Sequence, residues 1–270
     1  MLVRISLLFT ILACSFLGVK AQVTKPVKAF KVGEKLTYQA YYNWGLIWVH
    51  AGDVQFTVNH KLYRNQSVYN LEATGNSLKT YDWMYKVRER FQSLADPESM
   101  LPLWYERNSQ EGSYKAYENY VFANKHVCTT VENSEKKRTR DTISASGSVF
   151  DVLSAIYYCR NIDFEKYKLK EKIPVRTVMD GKIYPLYLRY LGKETIKVHQ
   201  DKKQQYRCIK FSALVVEGTI FKGGEDIYVW VTDDDNRIPV LVQAKILVGS
   251  VKAYLNSMEG VKNEIRARVD

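Results

Sequence analysis

Leu36-Thr37-Tyr38-Gln39-Ala40-Tyr41-Tyr42-Asn43-Trp44 is the stretch whose reading decides the fold class. Leu36, Tyr38, Ala40, Tyr42 and Trp44 fall on one side of a two-residue period, and Thr37, Gln39, Tyr41 and Asn43 fall on the other. Side chains alternate between faces only in an extended strand, so this stretch predicts a strand with one buried face. The same rhythm continues outward. Val54, Phe56 and Val58 alternate with polar neighbours, and Val68 to Thr74, Val87 to Leu94, Pro102 to Ser109, Tyr114 to Phe122 and His126 to Val131 extend the series. Turn chemistry separates the runs at Asn43-Trp44-Gly45, Gly75-Asn76, Asp96-Pro97, Glu111-Gly112 and Asn124-Lys125.

The rhythm breaks once. Between Ser148 and Asp163, Val149, Val152, Leu153, Ile156 and Tyr157 stand at the spacing of one helical face, and Ser148 with Asp151 reads as a capping pair at its entry. Beyond it the period of two returns over Ile173–Val178, Ile183–Tyr190, Thr195–Val198, Tyr206–Val216, Ile227–Thr232 and Pro239–Leu255. The turns here are Asp180-Gly181, Leu191-Gly192-Lys193, Lys222-Gly223-Gly224 and Asp233-Asp234-Asp235-Asn236. In the last hairpin Ile227, Val229 and Val231 are expected to oppose Val240, Val242 and Ala244, with the second arm running on through Gly249. Strands on both sides of one helix, joined by short links, predict a mainly β fold: an antiparallel, highly curved sheet or incomplete β-barrel wrapped around one main α-helix.

Residues 1–21 read as a signal peptide. Arg4 supplies the positive start, Ile5 to Leu12 the apolar core, and Val19-Lys20-Ala21 the small-residue cleavage site before Gln22. The core is shorter than the about 20 apolar residues of a membrane-spanning helix, so no transmembrane span is expected in the mature chain. Ile11-Leu12-Ala13-Cys14 leaves a second reading open, a lipoprotein processed at Cys14. Residues 22–270 are then read as a single β-rich domain. Its 38 basic against 29 acidic residues give a net charge of +9, which suits an anionic envelope surface rather than nucleic acid in an exported protein. Cys128, Cys159 and Cys208 are odd in number and are read as packing residues, with Cys128 to Cys208 the pairing to test if a disulfide forms.

Catalytic and metal signatures are lacking. His50, His60, His126 and His199 show no clustered ligand spacing, so no metal site is expected. Ser146-Gly147-Ser148 does not fit a nucleophile elbow, and Phe221-Lys222-Gly223-Gly224-Glu225 does not fit a phosphate loop. Asp233-Asp234-Asp235-Asn236-Arg237 lacks the later positions of a calcium loop and is read as a turn. No cofactor is implied. A transmembrane barrel is disfavoured because Lys, Arg and Glu recur on alternating faces without an apolar lipid-facing band.

Aromatic residues are the informative excess: 20 Tyr, 5 Trp and 10 Phe. Tyr and Trp suit either cross-strand packing or a cleft for lipid or sugar. In Trp44-Gly45-Leu46-Ile47-Trp48, two tryptophans and two aliphatics surround a glycine turn, an apolar rim if exposed.

Four stretches together resemble a known family: Phe30-Lys-Val-Gly-Glu-Lys-Leu-Thr-Tyr38, the glycine of Ala51-Gly52, Asp151-Val-Leu-Ser-Ala-Ile-Tyr-Tyr-Cys-Arg160, and Val229-Trp-Val-Thr-Asp-Asp-Asp-Asn-Arg-Ile-Pro-Val240. They resemble the exported bacterial family catalogued as domain of unknown function 3108, over about Phe30 to Gly260. The resemblance implies a Gram-negative envelope location, no assigned reaction, and an incomplete β-barrel over a helix like that of periplasmic lipoprotein carriers, whose Trp-to-Pro hairpin the Trp230 to Pro239 segment is similar to. It carries fold rather than function.

The expectation is an exported, non-enzymatic protein of the periplasm or the periplasmic face of the outer membrane. It would hold an apolar or amphipathic ligand between the concave sheet and the helix, lined by Trp44, Trp48, Tyr157, Tyr187 and Trp230. Two alternatives stay open. One is an interaction or scaffold protein acting through its basic surface; the other is an envelope hydrolase using carboxylates such as Asp151, Asp53 or Glu34.

Overall fold

The computed structural model describes residues 29–44, 47–198, 204–215, 224–246 and 249–269. The expected signal peptide with Cys14, Gly45 of the expected Asn43-Trp44-Gly45 turn, His199 and Phe221 to Gly223 lie outside them, and Asn43 and Trp44 end the first strand instead. No helix among the described residues is long and apolar enough to cross a membrane.

The chain forms one antiparallel sheet in two meanders. The first comprises β1 (Lys35–Trp44), β2 (Ile47–Tyr63), β3 (Gln66–Ser77), β4 (Val87–Ala95), β5 (Pro102–Glu111), β6 (Tyr114–Ala123), β7 (His126–Asn133) and β8 (Lys136–Ser144). The helix α1 (Val152–Cys159) follows. The second meander comprises β9 (Lys172–Met179), β10 (Lys182–Lys197), β11 (Gln205–Val215), β12 (Gly224–Thr232), β13 (Pro239–Lys245) and β14 (Ser250–Glu259), with the short β15 (Arg268–Val269) added beside β11. Pairing of β1 with β14, from Lys35 opposite Glu259 to Tyr42 opposite Val251, joins the meanders and leaves β8 and β9 as the two ends of the strand order.

That topology positions the helix. The chain leaves the sheet at one edge, β8, and re-enters at the other, β9, so α1 is the crossover between them and packs on β3, β4 and β9. A helix of eight residues is unstable alone, and its stability comes from its cap and its packing. Asp151 is the N-cap: it accepts from the amides of Leu153 (2.8 Å) and Ser154 (2.9 Å), while the Ser154 hydroxyl accepts from the Asp151 amide. The helix is therefore shorter than the 148–163 span expected, and its capping partner is Ser154 rather than Ser148. The reason lies in the preceding backbone. Phe150 is extended and bridges β9, donating to Arg176 O and accepting from the Val178 amide, so Val149 and Phe150 are buried by edge pairing and not by a helical face. Ile156, expected on the buried face, is exposed.

Four other expectations are corrected. Gly75-Asn76 lies inside β3, and the connection to β4 follows Ser77. Leu191-Gly192-Lys193 is a bulge within β10, not a turn between strands. Pro239–Leu255 is two strands, β13 and β14, because the chain reverses between Lys245 and Ser250. In the β12–β13 hairpin Ile227 opposes Ala244 and Val229 opposes Val242 as expected, but a shift after Trp230 sets Val231 against Pro239.

Apolar side chains on the inner faces make two clusters. One centres on Phe30, Leu71, Tyr105, Tyr120, Leu153, Tyr157, Phe164 and Ile209; the other on Leu36, Tyr38, Tyr206, Cys208, Trp230, Ile238 and Val240. The two ends of the sheet also approach each other. In the β9–β10 turn the Asp180 amide donates to Glu118 Oε2 (3.1 Å) and the Gly181 amide to Tyr120 Oη (3.2 Å), both on β6. The result is barrel-like without ladder closure.

Candidate ligand-binding surface

The structure does not bring together around one cavity the four expected aromatic residues whose side chains are described. Tyr157 is in the core, edge-on to Phe30 at 4.8 Å, and its hydroxyl has no hydrogen-bond partner among the described residues. Trp230 belongs to the second cluster; its indole N–H donates to Glu194 and Lys210 Nζ lies 4.8 Å from its ring. Tyr187 donates to Glu225 Oε1 (2.7 Å) beside Arg189. Trp48 stands near the start of β2, half-exposed, with Lys252 Nζ 4.5 Å from its ring. Trp44 ends β1, and its side chain lies outside the described residues. Beside α1, Leu36, Tyr38, Phe56, Ile156, Tyr157, Arg160 and Pro239 line a half-open pocket of about 20 Å³, room for roughly one water molecule.

The carboxylates do not converge either. Asp151 caps α1 and also accepts from Ser93 Oγ (2.7 Å); burial pushes its pKa up to about 6. Glu34 is locked to Arg160, and the more exposed Asp53 meets His50 at 2.9 Å. Each has its own structural partner. The described residues contain no group of three potential metal ligands.

A polar centre that sequence reading missed lies on the inner face of the first meander. Arg107 contacts Glu118 (3.1 Å), Glu89 (3.4 Å) and Glu111 (3.5 Å), three carboxylates on one guanidinium. Burial raises the pKa of Glu89 and of Glu118, against the lowering pull of Arg107. Its parity was the available signal: Glu89 and Arg107 share the face of Phe91 and Tyr105. With Tyr120 bonded to Glu118, the centre anchors the β9–β10 turn, a structural task.

The opposite, outer face of the same strands carries a groove of about 970 Å³, at the upper end of the range for small-molecule sites. Asn76, Asn108 and Gln110 offer amides along it, Tyr117 offers a half-buried ring, and Arg88, Arg90, Lys115 and Arg138 offer positive charge. Arg88 is held by Asp82 at 2.5 Å. Arg90 and Arg138 make only long contacts, 4.0 Å to Glu106 and 3.9 Å to Glu132, and Lys115 has no ion pair among the described residues. Lys115 thus remains open to a ligand, while Arg90 and Arg138 are held loosely, Arg138 by Glu132, which also lines the groove.

A family model described as "Protein of unknown function (DUF3108)" matches residues 37–256. The chain belongs to this family. No curated protein matches the DUF3108 chain. Among solved structures it is similar to a β-barrel-like protein of domain of unknown function DUF1849 from Brucella abortus, with 9% identity, 85% of this chain and 98% of that chain covered, and a TM-score of 0.54. At that identity the likeness is one of fold.

Three of the four stretches that carried the resemblance meet at one residue of the DUF3108 chain. Arg160, at the end of α1, binds Glu34 through both oxygens, donates to Asn236 O (3.0 Å), and lies over the rings of Phe30 and Tyr157. Asn236, in the acidic turn after β12, binds the carbonyls of Asn263 and Glu264, and Asp234 accepts from the Ala267 amide (3.1 Å). The expected turn therefore ties down the C-terminal segment. Those three stretches build an architectural node, none of whose residues lines the outer groove.

Proposed function

We propose that this DUF3108 protein is a non-enzymatic, exported protein of the cell envelope that binds an extended acidic glycan in the outer groove of β3 to β8. The observation that carries the reading is the lining of that groove, in which the unpaired Lys115 and the loosely paired Arg90 and Arg138 flank a row of amides and a tyrosine ring. Cations meet sugar carboxylates or phosphates, amides can donate to and accept from hydroxyls, and an aromatic face packs on a pyranose ring. The signal-peptide pattern of residues 1–21 supports export, and the scattered Asp151, Asp53 and Glu34 support a role without hydrolysis. An apolar ligand between α1 and the sheet has no comparable support, because that interior is packed with the protein's own side chains.

The test is titration calorimetry with polygalacturonate and, as a neutral control, dextran. Wild type is expected to bind polygalacturonate alone. Lys115→Glu/Arg138→Glu is expected to weaken binding roughly tenfold or more, whereas Lys31→Glu/Lys61→Glu, with the same charge change elsewhere, stays close to wild type. Equal loss in both variants would reduce the groove to general basicity and reject the proposal.

A further inference from the structure

Nine large apolar side chains are exposed among the described residues, and five of them sit at one end of the sheet: Ile47, Trp48, Trp83, Met84 and Tyr85. Antiparallel order puts them at the same end. The β1–β2 and β3–β4 connections fall at the same end, with Gly52 opposite Ser77 and the Leu78 amide donating to Ala51 O (2.9 Å). Trp83 is the most exposed of all, at 83%. Scattered apolar residues are ordinary on a protein surface, but a cluster of aromatic and aliphatic side chains at one end marks a contact.

The connection that carries Trp83 is braced. Arg88 binds Asp82, the Val87 amide donates to Ser77 Oγ (2.9 Å), and the amides of Met84 and Tyr85 both donate to Tyr81 O (3.0 Å). Tyr85 lies on Gly112, where a Cβ would come within 3.1 Å of its ring, so this connection leans on the β5–β6 turn. Trp83 is therefore held out in solvent by a fixed scaffold.

The charges around the rim select the occupant. Lys79 and Lys86 flank Trp83 in the chain without ion pairs among the described residues, Lys252 stands over Trp48, and the nearby acids are paired, Asp82 with Arg88 and both Glu89 and Glu111, beside Tyr85, with Arg107. Tryptophan and tyrosine tips beside lysines match the boundary of an anionic bilayer, where rings settle at headgroup depth and ammonium groups meet phosphates. We infer that this end of the barrel docks peripherally and reversibly on an anionic phospholipid surface. The inference rests on side chains other than Arg90, Lys115 and Arg138 of the groove and stands whether or not the groove binds a glycan.

Sedimentation of the full chain with phosphatidylethanolamine–phosphatidylglycerol vesicles tests it, with phosphatidylcholine vesicles as the neutral control. Trp83→Ser/Met84→Ser is expected to lower the partition coefficient roughly tenfold by removing apolar contact. Lys79→Glu/Lys86→Glu is expected to abolish most of the preference for the anionic vesicles. Leu62→Ser, which removes another exposed apolar side chain at the opposite end, is expected to change nothing. Residues 1–28 are the same in every variant, so differences report the rim. Absence of wild-type binding, rim variants that bind like wild type, or an equal loss in Leu62→Ser would each overturn the inference.

Discussion

Arg160 and Glu34 form a buried two-pronged ion pair, Nη1 to Oε1 at 2.5 Å and Nη2 to Oε2 at 2.9 Å, between the end of α1 and the entry to β1. Removing one partner leaves the other charge buried and alone, which costs about 3–5 kcal/mol. Arg160→Ala is therefore expected to lower unfolding stability by that amount in urea titrations, and Glu34→Gln by nearly as much. The double change Arg160→Met/Glu34→Leu, which leaves no orphan charge, should cost clearly less than the sum of the single losses. A loss below about 1 kcal/mol in Arg160→Ala would contradict the role of the node.

Asp151 gives a pH dependence whose sign follows from burial. Its carboxyl binds a proton more tightly folded, with a pKa of about 6, than unfolded, near the ordinary value of 3.8. Below about pH 4 both states are protonated and the group contributes nothing; between about pH 4 and 6 the folded state progressively loses stability, by about 3 kcal/mol once ionised. Asn caps a helix as well as Asp does and cannot ionise. Asp151→Asn is expected to match wild type near pH 4 and to exceed it by on the order of 1–3 kcal/mol at neutral pH. A wild-type-to-variant difference that stays flat across this range would refute the assignment.

The period of two located most strands because their inner faces are apolar against a solvated outer face. It missed β8, Lys136-Lys-Arg-Thr-Arg-Asp-Thr-Ile-Ser144, whose described side chains are mostly exposed and whose charges hide the alternation. Such charge suits an edge strand, where it discourages pairing with another chain. Gly192 marked an irregularity, but glycine serves both turns and bulges, so sequence divided β10 in two. The site was less legible than the fold. A core tyrosine such as Tyr157 and a cleft tyrosine look alike in sequence, and the groove's Asn108, Gln110 and Lys115 read as an ordinary solvated face. Only the bend of the sheet gathers them.

Gly52 is required by contact rather than by backbone angle. A Cβ at this position would stand 2.4 Å from Asn76 O and 3.1 Å from Ser77 Cα, where β3 crosses β2. Backbone must move to admit it, and overpacking of this kind costs about 1–3 kcal/mol. Gly52→Ala is expected to lower the urea midpoint accordingly. Gly75→Ala is the matched control on the neighbouring strand: its nearest neighbour would be Glu89 Cβ at 3.6 Å, so it should be neutral or slightly stabilising. Equal effects from the two would show that strand propensity and not contact governs Gly52.

The cysteines separate by environment. Cys128 is on the exposed face of β7, while Cys159 lies in α1 and Cys208 is fully buried in the second cluster; all three are free, and the conditional Cys128 to Cys208 bridge is not formed. Burial pushes the thiols of Cys159 and Cys208 up to about 12, and the thiolate is the reactive form. In a Cys14→Ser background at mildly alkaline pH, Ellman's reagent is expected to label one thiol quickly in the folded protein and the other two only after denaturation. Cys128→Ser should remove the fast phase entirely. Rapid labelling that survives this change would place Cys159 or Cys208 within reach of solvent, and with it would fall the packed interior that sends the ligand to the outer face.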